Sequence, residues 1–258
     1  MLKIKMALSK RFLSTLNREE VQKFESIASE WWNPNGPAKA LHSMNTLRVP
    51  LVTDGLLKTG KTKSTDKPLD GLKIIDIGCG GGILSEALAR LGATVVGLDP
   101  AESNIKTAQS HANLEPSNAE RITYMNITSE EYLEKHFKSP FDAVVASEVI
   151  EHVDNPQKFV STCSQLILND GSLFFTTINR NTKSWLGAII AAEDILGLLP
   201  KGTHDWNKFI TPQELSNFVE SAGCRVRLIH GMLYLPGINK WKWFPDSSIN
   251  YALHAVKI

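Results

Sequence analysis

The most informative part of the sequence is Lys73-Ile74-Ile75-Asp76-Ile77-Gly78-Cys79-Gly80-Gly81-Gly82. In it an apolar run ends in an acid, a glycine-rich turn follows, and a helical pattern then begins at Ile83. A second apolar run, over residues 95–98, ends in Asp99. The glycines would let the backbone approach a ligand closely, and the second acid can accept hydrogen bonds from both ribose hydroxyls. The stretch therefore predicts a nucleoside pocket at one edge of an open α/β sheet.

The spacing of the glycines favours one class of ligand. A dinucleotide fingerprint would place a third glycine at position 83, where this chain has Ile83. Asp76 would be unfavourable beside a pyrophosphate, but it suits a ligand that carries a cationic amine. The pattern resembles motif I of the class I S-adenosylmethionine-dependent methyltransferases. The alternative is a glycine-rich turn in some other α/β enzyme.

Length and composition exclude several classes of protein. The chain has 258 residues, of which 42% are hydrophobic, and this suits one sizeable α/β domain with appendages. A net charge of +1 argues against a nucleic-acid interface, which needs a basic excess on one face. The three cysteines, Cys79, Cys163 and Cys224, form neither a disulfide framework nor a zinc pattern. We therefore expect buried thiols in a reducing compartment.

The first 18 residues differ from the rest of the chain. Five basic residues precede the first acid, Glu19, and hydroxyl side chains are interspersed with apolar ones. A basic, acid-free, amphipathic start predicts a mitochondrial transit peptide over residues 1–18, with an ordinary basic N-terminal helix as the alternative. No window reaches the roughly 18 uninterrupted apolar residues of a membrane span, so no transmembrane helix is expected.

Strand patterns alternate with helix patterns from residue 73 onward. The alternation predicts an α/β fold, with a doubly wound, seven-stranded, mostly parallel sheet, N-terminal helices before it and an insertion after strand five. Strands are expected near 73–77, 94–98, 122–126, 142–146, 172–177, 225–234 and 250–256, and helices near 83–91, 102–113, 130–136, 156–168 and 212–222.

The topology of such a sheet brings distant residues together. Ligands bind beyond the carboxyl ends of the strands, where the strand order reverses. Residues after strands one, two and four should therefore meet, and the segment after strand three should line an adenine. The candidate cofactor-binding residues from this rule are Asp76, Gly78, Gly80, Asp99, Ile127 and Ser147.

A second informative segment follows strand four, where Glu148, Glu151 and His152 stand at positions i, i+3 and i+4. If the segment is one helical turn, the three side chains share a face. Two carboxylates and an imidazole would suit Mg²⁺ or a similar hard cation. The alternative is that the pair of carboxylates and the histidine shape the pocket without a metal.

Several longer motifs are more particular than the glycine turn. On them the chain resembles the ubiquinone-biosynthesis O-methyltransferases of the mitochondrial type, over roughly residues 24–256. The motifs are Trp31-Trp32-Asn33-Pro34-Asn35-Gly36-Pro37, Leu41-His42-Ser43-Met44-Asn45-Thr46-Leu47-Arg48, the glycine turn, Ser147-Glu148-Val149-Ile150-Glu151-His152-Val153, Thr177-Ile178-Asn179-Arg180-Asn181 and Lys201-Gly202-Thr203-His204-Asp205-Trp206. The resemblance implies that residues 19–258 form one class I methyltransferase domain.

The resemblance also implies how the cofactor, S-adenosylmethionine, is bound. Arg48 would contact the methionyl carboxylate, because a guanidinium fork suits a carboxylate. Gly78 would lie against the methionyl part, and Asp99 would hold the ribose. Ser147 would add a further contact.

The implied reaction is methyl transfer to a phenolic oxygen of a polyprenylated catechol. Glu148, Glu151 and His152 match the metal ligands attributed to the mitochondrial members, so Mg²⁺ or a similar divalent cation is expected as a second cofactor. The proton would go to His152 or to His204. If His152 ligates the metal, His204 is the better base.

An insertion over residues 181–206 is expected to face the substrate or the membrane. Between Ser184 and Pro200 only Glu193 and Asp194 interrupt its apolar character, and it is too short and too charged to span a bilayer. It would either enter the lipid interface or pack as a lid on the core. The apolar residues expected to enter the interface are Trp185, Leu186, Ile189, Ile190, Leu196, Leu198 and Leu199.

The expected setting follows from the resemblance. The protein would lie peripherally on the matrix face of the mitochondrial inner membrane, within reach of other quinone-biosynthesis proteins. Two other functions stay open at this point: methylation of a soluble phenol, and a non-catalytic subunit that keeps the cofactor pocket.

Overall fold

The computed structural model describes residue 15 and residues 17–62, 66–181 and 208–258. The predicted transit peptide and most of the predicted insertion, with His204, lie outside these residues. The described helices are α1 (Arg18–Ser26), α2 (Lys39–Lys58), α3 (Ile83–Arg90), α4 (Glu102–Ala112), α5 (Pro116–Ala119), α6 (Ser129–Lys135), α7 (Pro156–Leu166) and α8 (Pro212–Ser221). The strands are β1 (Lys73–Ile77), β2 (Thr94–Leu98), β3 (Ile122–Met125), β4 (Phe141–Ser147), β5 (Ile167–Ile178), β6 (Cys224–Leu235), β7 (Lys240–Phe244) and β8 (Asn250–Lys257).

The strands form one sheet in the order β3-β2-β1-β4-β5-β8-β6-β7. Strands β1 to β5 are parallel, whereas β8 pairs antiparallel with both β5 and β6. The order reverses between β1 and β4, and this is the switch point at which doubly wound sheets bind ligands. The predicted fold class is confirmed.

The number of strands differs from the prediction, because the described residues contain eight and not seven. The additional strand is β7, which pairs antiparallel with β6 at the edge of the sheet. Its sequence, Lys-Trp-Lys-Trp-Phe, alternates charged and aromatic residues with the period of two that is typical of a strand. The strand is held against α2, since Trp241 Nε1 donates to the carbonyl oxygen of Ala40 at 2.9 Å.

Both faces of the sheet are covered by helices, as the near-continuous apolar strands require. On β1, Ile74 packs with Leu51 of α2 and Leu88 of α3 in one buried cluster. The next residue, Ile75, packs with Phe159 of α7 in the opposite cluster. The carboxyl ends of β1, β2 and β4 are thereby held rigidly side by side.

All three cysteines are buried and free, as expected. Among the described residues no helix combines the length and the apolar character needed to cross a bilayer.

The buried histidine of β8 should make the fold sensitive to acid. His254 is 4% exposed and stacks on Phe174, and burial lowers its pKa to about 4. Between pH 6.5 and 4 the unfolded chain therefore binds more protons at this position than the folded one. We expect this histidine to cost the fold about 3 kcal/mol as the pH falls across that interval.

Denaturant unfolding of the wild type and of His254→Leu, measured from pH 7 to 4, checks this expectation. The free energy of unfolding of the wild type should fall more steeply with acid than that of the variant. His136→Gln, at an exposed position, controls for the removal of a histidine. Parallel curves for the wild type and His254→Leu would contradict the expectation.

Candidate cofactor and substrate site

The glycine turn after β1 is fastened to the end of β2. The amides of Gly78 and Cys79 donate to the carbonyl oxygen of Leu98 at 2.8 and 3.0 Å, and the amide of Gly80 donates to Asp99 Oδ2 at 3.0 Å. Gly78, Gly80 and Gly82 have φ angles of 71°, 53° and 87°, which L side chains rarely adopt. The turn needs glycine because only this backbone path brings its N–H groups to β2.

The second acid is held by a full set of donors. One oxygen of Asp99 accepts from the amide of Gly80, and the other accepts from the amide of Ala101 at 2.9 Å and from Asn104 Nδ2 at 3.2 Å. Burial nevertheless raises the pKa of Asp99 to about 6. The carboxylate therefore lies in a fixed position at the cavity, where ribose hydroxyls could donate to it.

The Trp-Trp pair covers this turn, a role that the sequence motif alone did not reveal. Trp31 Nε1 donates to Asn104 Oδ1 at 2.8 Å, and Asn104 in turn donates to Asp99. A Cβ atom on Gly80 or Gly81 would lie 2.6 or 2.5 Å from the Trp31 side chain. The neighbouring Trp32 donates to the carbonyl oxygen of Gly81 at 2.8 Å. The two indoles pack against the outer side of the turn. They leave no room there for a side chain on Gly80 or Gly81.

Arg48 lies buried where α2 meets the end of β4. Its Nη1 donates to Ser147 Oγ at 3.1 Å, its Nε donates to Asn45 Oδ1 at 3.0 Å and its Nη2 donates to the carbonyl oxygen of Leu41 at 2.7 Å. Burial lowers the pKa of Arg48 to about 10, while the nearby charges of Asp76 and Glu148 oppose this shift. The structure thus brings the predicted Arg48 and Ser147 into direct contact.

Asp76 lies at the end of β1, where its Oδ2 accepts from Ser85 Oγ at 2.6 Å. It is 2% exposed, and burial raises its pKa to about 6 in spite of this hydrogen bond and of the charge of Arg48. A cationic group of a ligand would favour the ionised form of this carboxyl.

The segment after β4 is not the single α-helical turn on which the shared face of Glu148, Glu151 and His152 depended. Only Ile150–His152 form a short 3₁₀ helix, and Glu148 precedes it with a φ angle of 57°. Nevertheless all three predicted side chains line one cavity. Within the described ranges no group of three or more His, Cys, Asp and Glu side chains is close enough to hold a metal ion as it stands.

The contacts of the three side chains differ. Glu151 accepts from Thr177 Oγ1 at 2.8 Å, and His152 Nδ1 lies 2.9 Å from Glu20 Oε2. Glu148 Oε1 is buried without a hydrogen-bond partner among the described residues. Burial and the nearby charge of Glu151 raise the pKa of Glu148 to about 7. The site therefore holds an excess of buried acid with one unsatisfied oxygen.

The cavity has a volume of about 520 Å³ and lies at the switch point of the sheet. The described candidates that line it are Arg48, Asp76, Gly78, Asp99, Ser147, Glu148, Glu151 and His152. Gly80 does not line the cavity but donates a hydrogen bond from its backbone amide to Asp99, and Ile127 packs against the apolar cluster that contains Ile75. His204 lies outside the described residues, so the structure does not place it.

The far wall of the cavity was not foreseen. It is made by α1 and the residue after it, with Val21, Phe24 and Ile27, and by the β6–β7 hairpin, with Leu233 and Trp241. The amphipathic pattern of α1 was a signal for a buried face, but the sequence did not indicate what that face covers.

Comparison with known proteins bears on both the fold and the family. A family model described as a methyltransferase domain matches residues 51–229. The ubiquinone biosynthesis O-methyltransferase of Bos taurus, named mitochondrial, is 47% identical over 244 residues, or 95% of this chain and 66% of its own length. The ubiquinone biosynthesis O-methyltransferase of Pelagibacter ubique is 40% identical over 245 residues, which cover 95% of this chain and 100% of that protein. The chain thus spans about two thirds of the length of the bovine relative and all of the bacterial one.

Solved structures support the fold. The magnesium protoporphyrin IX methyltransferase of Synechocystis, solved with bound SAH, has a TM-score of 0.60 at 21% identity, and the match covers 86% of this chain and 87% of that one. The [4+2]-cyclase SpnF has a TM-score of 0.54 at 14% identity and 80% coverage of each chain. Because a cyclase shares the fold, the fold by itself does not decide the reaction.

The hydrogen bond from Trp31 to Asn104 should contribute to cofactor affinity. Trp31→Phe keeps a ring over the glycine turn but removes the hydrogen bond that orients Asn104 towards Asp99. We expect S-adenosylhomocysteine, the demethylated form of the expected cofactor, to bind about 5- to 10-fold more weakly, since a buried hydrogen bond is worth about 1 kcal/mol. Isothermal titration calorimetry measures the change.

Trp241→Phe is the matched control. It loses an equivalent hydrogen bond from an indole N–H, but on the β6–β7 hairpin and away from Asp99. Its affinity for S-adenosylhomocysteine should stay within about twofold of the wild type, well below the loss of one hydrogen bond. Equal losses in both variants would show that Trp31 has no specific role.

Proposed function

Because the chain belongs to the family of ubiquinone biosynthesis O-methyltransferases, we propose that it transfers the methyl group of S-adenosylmethionine to a phenolic oxygen of a polyprenylated catechol. The observation that carries the proposal is the cavity in which the glycine turn and Asp99 face Arg48, Glu148 and His152. Such a cavity has one end suited to a nucleoside and another that is rich in groups able to take a proton.

The cofactor would occupy the end formed by β1 and β2. The ribose hydroxyls would donate to Asp99, whose ionised form they favour. Asp76 would attract the cationic amine of the methionyl group, and the guanidinium of Arg48 would bind its carboxylate. The buried acids of this end are consistent with a ligand that brings positive charge.

The substrate would occupy the end between α1 and the β6–β7 hairpin. Its apolar lining, which includes Phe24, Leu233 and Trp241, suits a ring with a prenyl tail. Its polar groups are concentrated at Glu148, Glu151 and His152, next to the expected position of the sulfonium methyl group.

The chain's main contribution to the reaction would be orientation. Methyl transfer is an in-line displacement, so the phenolic oxygen must lie near van der Waals contact with the methyl carbon, opposite the sulfur. A cofactor end fixed by hydrogen bonds and an apolar substrate end would hold this alignment and limit the access of water. His152 or His204 would accept the phenolic proton.

We further propose that Glu148, Glu151 and His152 hold Mg²⁺ or a similar divalent cation. Two neighbouring carboxylates, one of which has a buried oxygen without a hydrogen-bond partner among the described residues, fit an oxygen-preferring cation. When bound, such a cation would lower the pKa of the catechol hydroxyl and orient both catechol oxygens. If His152 is one of its ligands, His204 would be the base.

Methyl transfer to a short-chain prenyl catechol tests the main proposal. We expect label from S-adenosylmethionine to appear in the catechol, to disappear on chelation and to return with Mg²⁺. Glu148→Gln, which removes one candidate cation ligand, should lower kcat at least about 10-fold at saturating cofactor, since loss of even a second-layer partner of a metal site costs about 10- to 100-fold.

Three other results would be informative. Activity that is unchanged by chelation would support the methyltransferase proposal and reject the proposal that a metal takes part. Transfer to a soluble phenol but not to the prenyl catechol would favour a soluble substrate. Cofactor binding without transfer to either would favour a non-catalytic subunit of a quinone-biosynthesis complex.

We also propose a mitochondrial location, peripheral to the matrix face of the inner membrane, where a prenylated substrate and other quinone-biosynthesis proteins would be available. The support is that the bovine and human relatives are named mitochondrial and that the chain has a basic, acid-free start. The apolar insertion at 181–206 would touch the lipid interface.

Liposome co-sedimentation tests the role of the insertion. The double variant Ile189→Asp/Leu196→Asp should bind vesicles of phosphatidylcholine and cardiolipin at least about 10-fold more weakly than the wild type, because each charge opposes burial in the interface. Leu114→Asp is the control, since Leu114 is 77% exposed on a different part of the fold. Unchanged binding of a folded double variant would reject the interfacial role and favour a lid.

A further inference from the structure

Glu20 is a buried acid of α1 whose role no motif indicated. It is 6% exposed although it lies on a short helix at the surface of the domain. Its Oε2 lies 2.9 Å from His152 Nδ1, across 132 positions of sequence. Its Oε1 lies 3.1 Å from Lys23 Nζ and 3.3 Å from Lys208 Nζ. A single carboxylate thus joins α1 to the turn after β4 and to Lys208, two positions after the insertion.

The direction of the bond between Glu20 and His152 follows from chemistry. An ionised carboxylate can only accept hydrogen bonds. Two lysine ammonium groups beside Glu20 favour its ionised form. The proton in this bond therefore belongs to Nδ1 of the imidazole.

The position of that proton decides what the other nitrogen can do. In a neutral imidazole only one nitrogen carries hydrogen, so a ring with Nδ1–H has a lone pair on Nε2. Phe24 packs its ring against His152 at an angle of 88°, with 5.1 Å between the ring centroids, and so limits rotation of the imidazole. His152 lines the cavity from this fixed position.

We propose that Glu20 is a positioning residue, which holds His152 as the Nδ1–H tautomer and so presents an unprotonated Nε2 to the substrate end of the cavity. The inference rests on the proposed function, because it is there that Nε2 would accept the phenolic proton or ligate the cation. A carboxylate behind a histidine commonly fixes the tautomer of a metal ligand or a base in this way.

A purely structural alternative exists. Glu20 could serve only to fasten α1 over the cavity through its bonds to His152 and Lys208. The two roles differ in one observable, because only the positioning role requires a particular tautomer of His152.

The tautomer can be measured directly in the full-length protein labelled with ¹⁵N-histidine. Two-bond ¹⁵N–¹H correlation spectra distinguish Nδ1–H from Nε2–H rings, and His152→Gln identifies the signal among the seven histidines. At about pH 8, where an ordinary imidazole is neutral, we expect Nδ1–H in the wild type. Glu20→Ala should shift the signal towards Nε2–H. It should also lower kcat about 10- to 100-fold at saturating cofactor, the usual effect of removing such a partner.

Two companion variants keep the test sharp. Glu20→Gln is isosteric, and its amide oxygen can still accept from Nδ1, so it should recover part of the tautomer and of kcat even if Glu20→Ala folds poorly. Gln22→Ala, an exposed position on the same helix, should match the wild type in both measurements. The affinity for S-adenosylhomocysteine should change by no more than about twofold in all three variants, well below the loss of one hydrogen bond.

The outcomes are separable from those of the proposed function. An Nε2–H ring in the wild type would overturn the inference, and so would a fall in kcat for Glu20→Ala with the tautomer unchanged. If the wild type transfers no methyl group, the proposed function fails, whereas the spectra still decide the tautomer.

Discussion

The site depends on a small set of backbone hydrogen bonds, those that fasten the glycine turn to the end of β2. The amides of Gly78 and Cys79 share the carbonyl oxygen of Leu98, and the amide of Gly80 binds the carboxylate of Asp99. These bonds form only because the turn adopts left-handed φ angles that a side chain would disfavour. They fix the distance between β1 and β2 at the ligand edge, and every other group of the cavity is placed relative to that edge.

The parts that precede the matched methyltransferase domain complete this edge. The family model begins at residue 51, whereas Glu20, Trp31 and Arg48 all lie before it. Trp31 covers the turn and orients Asn104 towards Asp99, Arg48 contacts Ser147, and Glu20 contacts His152. The common sheet therefore supplies the nucleoside end, while the segment before residue 51 supplies further contacts to that end and to His152. This division is in keeping with a fold that also supports a cyclase.

Acidic groups lie at both ends of the cavity and outnumber the buried cations described beside them. Asp76 and Asp99 are buried and Glu148 is half-buried, and loss of hydration raises their pKa values to about 6, about 6 and about 7. Arg48 is the buried cation described beside them. A ligand that carries positive charge would ease this imbalance, since an opposite charge favours the ionised carboxylates. The methionyl amine, the sulfonium and a divalent cation all have the required sign.

The periodic and local features of this protein can be read directly from its amino-acid sequence. Strand alternation gave the parallel sheet, the glycine spacing gave the turn, and the rule for carboxyl ends brought Asp76, Asp99 and Ser147 to one edge. The alternating pattern of β7 was present in the sequence but was not recognised, because a strand of five residues after a Pro-Gly turn gives a weak signal.

Contacts between groups that are far apart in the chain depend on tertiary packing. The bond from Glu20 to His152 spans 132 positions and the bond from Trp31 to Asn104 spans 73, and no local pattern encodes either partner. The spacing of Glu148, Glu151 and His152 suggested one helical face, yet the left-handed backbone at Glu148 separates it from the short 3₁₀ turn that follows. Sequence spacing predicts where side chains point only within a regular helix or strand. Elsewhere tertiary packing sets their direction.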